Sequence, residues 1–199
     1  VSAQAPVRTA KGAATRARLL AIAGEELAAH GTLEIATVAA RAGVAQSVIY
    51  RYFDGKDGLV EAVVDDFYDQ YDTEVFGVAL SPEGTWLDRE ARRVAREVHF
   101  LYVHPLGRAV AAGLVHDAAA TRVDAARQRE QTAAAARNIR HGQRSGELDR
   151  AIDAGLAGAA IIGALRATLA EALARARPPA ERRVVDAVLR VGHALLASS

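Results

Sequence analysis

The sequence is short of several things, and each shortage narrows what the chain can be. It contains no cysteine, which excludes disulfides, thiolate metal sites and a cysteine nucleophile. That accords with a reducing compartment, and a cytoplasmic protein is expected. Aromatic residues make up 5% of the 199 positions, against 51% hydrophobic residues when alanine is counted. Abundant alanine with few aromatics favours closely packed helices over sheets, so the fold class expected is all-α. No run of eighteen uncharged apolar residues occurs, and the start of the chain has no signal-peptide core. Neither a membrane partner nor export is expected.

Catalytic and metal-binding signatures are missing as well. The spacings of His99, His104, His116 and His141 do not put two imidazoles on one helical turn, and HExxH is absent, so no metal site is expected. Gly55-Lys56 is not a phosphate loop, because Tyr50 stands where its first glycine belongs and Asp57 where its Ser or Thr belongs. No GxSxG elbow occurs. The chain reads as a non-enzyme without a cofactor.

What is present centres on VAARAGVAQSVIYRYF, Val38 to Phe53, which reads as a helix-turn-helix. Ala39 is small where two helices must approach, and Gly43 can take the positive φ of a tight turn. Val38, Ala42, Val44 and Ile49 are expected to face inward. The second helix then turns Gln46, Ser47, Val48, Tyr50 and Arg51 outward, a mixture suited to base edges and phosphates.

Ala42-Gly43-Val44, Ile49-Tyr50-Arg51-Tyr52-Phe53, Lys56 and Leu59 together resemble the amino-terminal DNA-binding domain of the tetracycline-repressor (TetR) family. The likeness covers roughly Arg16 to Leu59, with Arg16-Ala17-Arg18-Leu19-Leu20, Leu27 and Gly31 similar to the family's first helix. Beyond Leu59 the likeness is one of length and helical layout. Two departures stand out: Ala45 occupies the position where the family usually has Ser or Thr, the better N-cap by about 1 kcal/mol, and the segment from Gly31 to Val38 looks shorter than usual. The resemblance implies phosphate contacts for Tyr50 and Lys56. Side-chain chemistry alone suggests adenine for Gln46, a thymine methyl for Val48, guanine or phosphate for Arg51, and phosphate for Thr37.

The net charge is only +1, yet Arg8, Lys11, Arg16 and Arg18 all precede the first acidic residue, Glu25. Residues 1–14 are therefore expected as a disordered basic arm, with Arg16 and Arg18 close to phosphate. Residues 15–60 form the expected helix-turn-helix domain and 61–199 a helical effector-binding and dimerisation domain. About nine helices are expected in all: the first from about Thr15, its N-cap, to Ala29; the second capped by Thr32; a long one from Lys56 to about Phe76; then Thr85 to Val103, Gly107 to His116, Ala119 to Arg144, Asp149 to Arg177 and Ala180 to Ala197. A loop containing Ser81-Pro82 separates the linking helix from the rest.

Trp86, His99, Phe100, Tyr102, His104 and His116 are the candidate lining of an effector pocket, on helices that surround one in the resembled fold. The scarcity of aromatics hints at an apolar effector. The helix from Asp149 is rich in Gly and Ala, which suits close helix contact. It is expected to pair with the last helix in a dimer seam holding Gly155, Gly158, Ile162, Leu165, Val185, Val188 and Leu189. The function expected is a homodimeric transcriptional regulator that binds a near-palindromic duplex operator, a repressor released by a small molecule. The alternative is a helical small-molecule-binding or enzymatic domain whose helix-turn-helix is only structural.

Overall fold

Leu19, Leu20, Ala23 and Leu27 recur at helical spacing and form the buried side of α1 (Ala10–His30). Their stripe backs a short pair, α2 (Ile35–Ala42) and α3 (Gln46–Ile49), and meets the start of α4 (Gly55–Tyr71). A π-helical turn, Asp72–Phe76, continues α4. The remaining helices are α5 (Trp86–Val103), α6 (Gly107–Ala111), α7 (Ala118–Ser145), α8 (Ala154–Ala174) and α9 (Glu181–Leu196). The computed structural model describes residues 10–78, 83–113 and 115–196, which hold nine α-helices and no strand.

Several helix ends differ from expectation, each for a local reason. Ala10–Ala14 is helical, so α1 starts before Thr15, whose Oγ1 donates to the Lys11 carbonyl at 2.9 Å instead of capping. Arg16 and Arg18 thus lie on a helix; Arg8 and the rest of residues 1–9 lie outside the described residues. Thr32 does not cap α2, whose N-cap is Glu34 without a side-chain cap bond. α6 stops at Ala111, five residues before His116, whose backbone N–H donates to Gly31 O. α8 begins at Ala154 because Asp153 caps it, bonding the Gly155 and Leu156 N–H groups. Thr85 caps α5 in a reciprocal box with Asp88. Ser81-Pro82 and Ala197 fall outside the described residues.

The main core runs through both expected units without a break, from Leu19 and Val38 through Val63, Phe67 and Tyr71 to Val98, Leu169 and Val188. α4 supplies its middle. A smaller second core, at the far end of α5, gathers Trp86, Ile139, Leu148, Ala154, Ala157 and Leu196. α7 and α8 form the most extensive helix pair, and Gly158 explains how: a Cβ there would lie 2.9 Å from the Ala136 nitrogen. Only glycine permits that approach.

This packing divides the expected dimer seam. Gly158, Leu165 and Val188 are buried inside the protomer, so they hold α8 and α9 to their own chain and are not free for a partner. Gly155, Ile162, Val185 and Leu189 are half-buried. The outward face of α8 is instead Leu156, Ala159, Ala160, Gly163 and Ala167. Leu156 is 72% exposed, and Val191 and Leu195 of α9 are exposed beside this end of the bundle. An all-round apolar helix such as α8 gives no periodicity to tell its two faces apart. By length and composition α8 could cross a membrane, at a mean hydropathy of 1.5. Here it packs between α7 and α9, and its Arg166 pairs with Asp124 of α7.

Candidate nucleic-acid interface and effector cavity

The helix-turn-helix is built around Gly43, which ends α2 in the left-handed region at φ 64° and ψ 36°. Its N–H donates to Ala40 O and that of Val44 to Ala39 O, closing the helix end as a residue with a Cβ would do only under strain. Val38, Ala39, Ala42 and Ile49 are buried and Val44 is half-buried, as their pattern requires. Arg41 locks α2 to α1 through Glu26, at 2.6 Å, and through Glu25.

The opposite face is free. Thr37, Gln46, Ser47, Tyr50 and Arg51 are exposed and Val48 is half-buried, so none of these predicted duplex-facing residues is buried in the core. Tyr50, at 60% exposure, is among the most exposed large hydrophobic side chains of the described residues. No core contact accounts for it. α3 is short, and Ala45 provides no side-chain cap. Lys56 takes a different partner from the one expected: in the DNA-free chain its Nζ pairs with Glu34 at 2.9 Å. Arg16 is half-buried, its guanidinium 5.3 Å from the Phe53 ring centre, whereas Arg18 is exposed.

In the second unit, α4, α5, α6, α7 and α8 enclose a cavity of about 50 Å³. Its apolar walls include Phe67, Leu101, Val110 and Leu169, and its polar groups are Tyr68, Tyr71, Glu97, Gln131 and Arg166. Glu97 is 8% exposed and accepts a hydrogen bond from the Tyr71 hydroxyl. Burial pushes its carboxyl up to about 7, against the lowering effects of that hydrogen bond and of Arg166 and Arg93. Burial likewise holds the Tyr71 phenol well above its usual range, with Glu97 adding to the effect. Outside the lining, Asp124 accepts from the Tyr68 hydroxyl and pairs with Arg166 at 2.5 Å.

The six predicted pocket residues are distributed differently. Trp86 belongs to the second core, its Nε1 donating to Asn138 O. His99 faces Glu181 at 3.2 Å, and the Tyr102 hydroxyl donates to Pro179 O, so both tie α5 to the start of α9. His116 is exposed in the turn before α7. Phe100 is buried behind the cavity wall against Phe67 and Tyr71. His104 lines a separate open groove of about 640 Å³ between α1, α4 and the α5–α6 corner, with Arg16, Phe67 and Gln70. Its ring stacks on Phe100, its Nδ1 accepts from the Leu106 N–H, and burial lowers its pKa.

The cavity residues Tyr68, Tyr71, Glu97, Gln131 and Arg166 were missed. Two of them left a signal. Glu97 interrupts the apolar stripe Val94, Val98, Leu101, and Arg166 is the lone charge between Ala154 and Ala170; a charge on a buried face marks a site or a buried pair. Among the described residues no cluster of His, Cys, Asp or Glu is placed to hold a metal ion.

Comparison with known proteins follows this geometry. Residues 19–63 match the sequence model of the bacterial regulatory proteins of the tetR family. No curated protein sequence matches the chain significantly. Among solved structures, a putative TetR-family transcriptional regulator from Rhodococcus sp. superposes with a TM-score of 0.73 at 18% identity, over 93% of this chain and 100% of that one. FadR from Bacillus subtilis, in complex with stearoyl-CoA, gives 0.71 at 17% identity, over 91% and 97%. SmeT, the repressor of the Stenotrophomonas maltophilia multidrug efflux pump SmeDEF, gives 0.73 at 16%, over 92% and 91%. The match runs from the middle of α1 to the middle of α4 and the shared fold spans nearly the whole chain, so residues 19–63 are similar to the tetR-family domain of bacterial regulatory proteins and the chain has the helical fold of solved TetR-family regulators.

Proposed function

We propose that the chain is a transcriptional repressor that binds a near-palindromic operator as a homodimer and leaves it when a small molecule enters the second unit. The observation that carries DNA binding is the free face of the helix-turn-helix. Gln46, Ser47, Tyr50 and Arg51 are exposed together on a motif whose other side is fully engaged in the core, and a packing unit has no need of that set. Gln46 suits adenine and Arg51 guanine or phosphate, while Thr37 and Tyr50 position the backbone. Lys56 would exchange Glu34 for a phosphate. Two copies joined through the outward face of α8 and the exposed end of α9 would present two such faces to successive major grooves, roughly 34–36 Å apart.

Release follows from α4. The helix begins beside the recognition element at Gly55 and ends in the cavity wall at Phe67, Tyr68 and Tyr71, so a ligand that shifts its carboxyl end also shifts the motif at its amino end. Differential affinity of about 2–3 kcal/mol between the two states is enough for a switch. The structures of FadR with stearoyl-CoA and of SmeT with triclosan support a ligand in this fold. The test is fluorescence anisotropy on DNA flanking the chain's own gene against a scrambled duplex, at two salt concentrations. Specific binding that weakens steeply with salt is expected, and Arg51→Ala should abolish the preference. Equal, weak binding to both duplexes would refute the reading for that site.

A further inference from the structure

The cavity has an unbalanced charge. Arg166 is committed to Asp124 at 2.5 Å, and Asp124 also accepts from Tyr68. Arg93, the other cation close to Glu97, is held by Glu90 one turn earlier on α5. Glu97 has no such partner. Among the described residues its one hydrogen bond comes from the neutral Tyr71 hydroxyl. Arg166 and Asp124 neutralise each other as a pair at the cavity's edge, which leaves an ionised Glu97 as the one charge of the wall without an ion-pair partner among the described residues.

We propose that this cavity receives the ammonium group of a small organic amine, with Glu97 as its counter-ion. The proposal deepens the effector reading above and rests on it for its regulatory meaning. Three features of the wall select this chemistry. A buried carboxylate is stable only beside a cation or a proton, and an ammonium supplies the first. The Tyr68 and Tyr71 rings line the same space, and their π-systems favour a nearby cation, as Arg127 5.7 Å from the Tyr68 ring centre illustrates. Phe67, Leu101, Val110 and Leu169 suit a short hydrocarbon body. An anion would instead meet Glu97 with Arg166 already engaged by Asp124, and a neutral alcohol would leave Glu97 protonated and gain little from it. At about 50 Å³, the cavity has room for about three to five heavy atoms at 10–15 Å³ each, nitrogen included, which points to alkylamines of two to four carbons.

Binding should also release a proton. Glu97 titrates at about 7, so below that pH the amine must displace the carboxyl proton, and above it the carboxylate is ready. Tyr68 and Tyr71 stay neutral throughout, their phenols being raised by burial. Arg166 stays charged, its pKa being raised, and Arg93 is paired with Glu90. Amine affinity should therefore fall about tenfold per pH unit below 7 and level off above it.

The experiment is calorimetric titration of the full chain with propylamine and butylamine at pH 6 and pH 8, beside propanol and propionate. Amines are expected to bind at pH 8 at least tenfold more tightly than either control. Glu97→Gln should remove that preference, whereas Glu171→Gln, on the exposed face of α8, should keep it. Glu97→Gln is close in shape and can still accept from Tyr71, so a folded variant is expected, to be verified by circular dichroism. Equal binding of amine and alcohol, no amine binding, or an unchanged preference in Glu97→Gln would each overturn the proposal. Operator anisotropy with the same ligands separates it from the effector reading. Amine binding that leaves DNA affinity unchanged keeps Glu97 as counter-ion and removes the effector role. A neutral compound that releases DNA equally from wild type and Glu97→Gln keeps the effector role and removes the counter-ion.

Discussion

Glu97 carries a stability consequence of its own. Its carboxyl is raised from 4.5 to about 7, so the folded state holds a proton that the unfolded chain gives up. Below 4.5 both states are neutral and the burial costs nothing. Between 4.5 and 7 the cost grows as pH rises, reaching about 3 kcal/mol at 1.4 kcal/mol per unit, and above 7 it stays constant. Urea melts of wild type and Glu97→Gln should therefore agree near pH 4.5 and diverge by pH 8, with the variant more stable by up to that amount. Parallel pH profiles would show that Glu97 is ionised at no such cost. Gly43 is the other position where a single atom decides. At φ 64° a Cβ is disfavoured, and Gly43→Ala should lower stability by about 1–2 kcal/mol, read as a lower urea midpoint with an unchanged slope. This requirement was legible in the sequence, because Gly43 stood between two apolar stripes at the spacing of a turn. The cavity was not. Glu97 and Arg166 sit on different helices, and only the packing of α4 to α8 around one cavity brings them together.

At the level of the element, the helices were readable where a cap and a stripe coincide. Thr85 starts α5 and Gly43 ends α2 as their residue types suggest. Thr15 shows how the same signal misleads. Ala, Lys and Gly before it accept helical geometry, so the hydroxyl bonds back to Lys11 O within the helix instead of opening one. α3 has the reverse problem: it begins at Ala45 with no side-chain acceptor for its first N–H groups. Ala45→Ser supplies one and should stabilise the chain by about 0.5–1 kcal/mol, seen as a higher melting temperature. It should also protect the amide protons of Ser47 and Val48 from exchange. Faster exchange in the variant would mean that α3 is not limited by its cap. Along α4, Arg127 of α7 reaches Asp65, Asp69 and Asp72, and Arg122 reaches Asp57 and Glu61. These exposed pairs contribute little each, but they fasten most of the linking helix to one neighbour. α4 thus runs from motif to cavity with α7 along one side.

For the whole molecule, the undivided core is the governing fact. The motif and the second unit share buried side chains through α4, so they are expected to unfold in one transition. The face left over is the outward side of α8 with the end of α9. Leu156→Glu, on that face, should shift the chain from dimer to monomer in sedimentation velocity while leaving its circular dichroism unchanged. A persistent dimer would place the seam elsewhere. The sequence had marked both helices as interface but could not choose their faces, since α8 is apolar all round and Gly158 faces α7 as readily as a partner. The second core adds an optical consequence. Trp86 is the single tryptophan, and it is buried among Ile139, Leu148, Ala154 and Leu196, whereas Glu97 lies eleven residues further along α5, about 16 Å at 1.5 Å per residue. Indole emission is therefore a local reporter of the α7–α9 end of the bundle: it should be blue-shifted in the folded chain, silent to a ligand beside Glu97, and responsive to whatever touches the ends of α8 and α9.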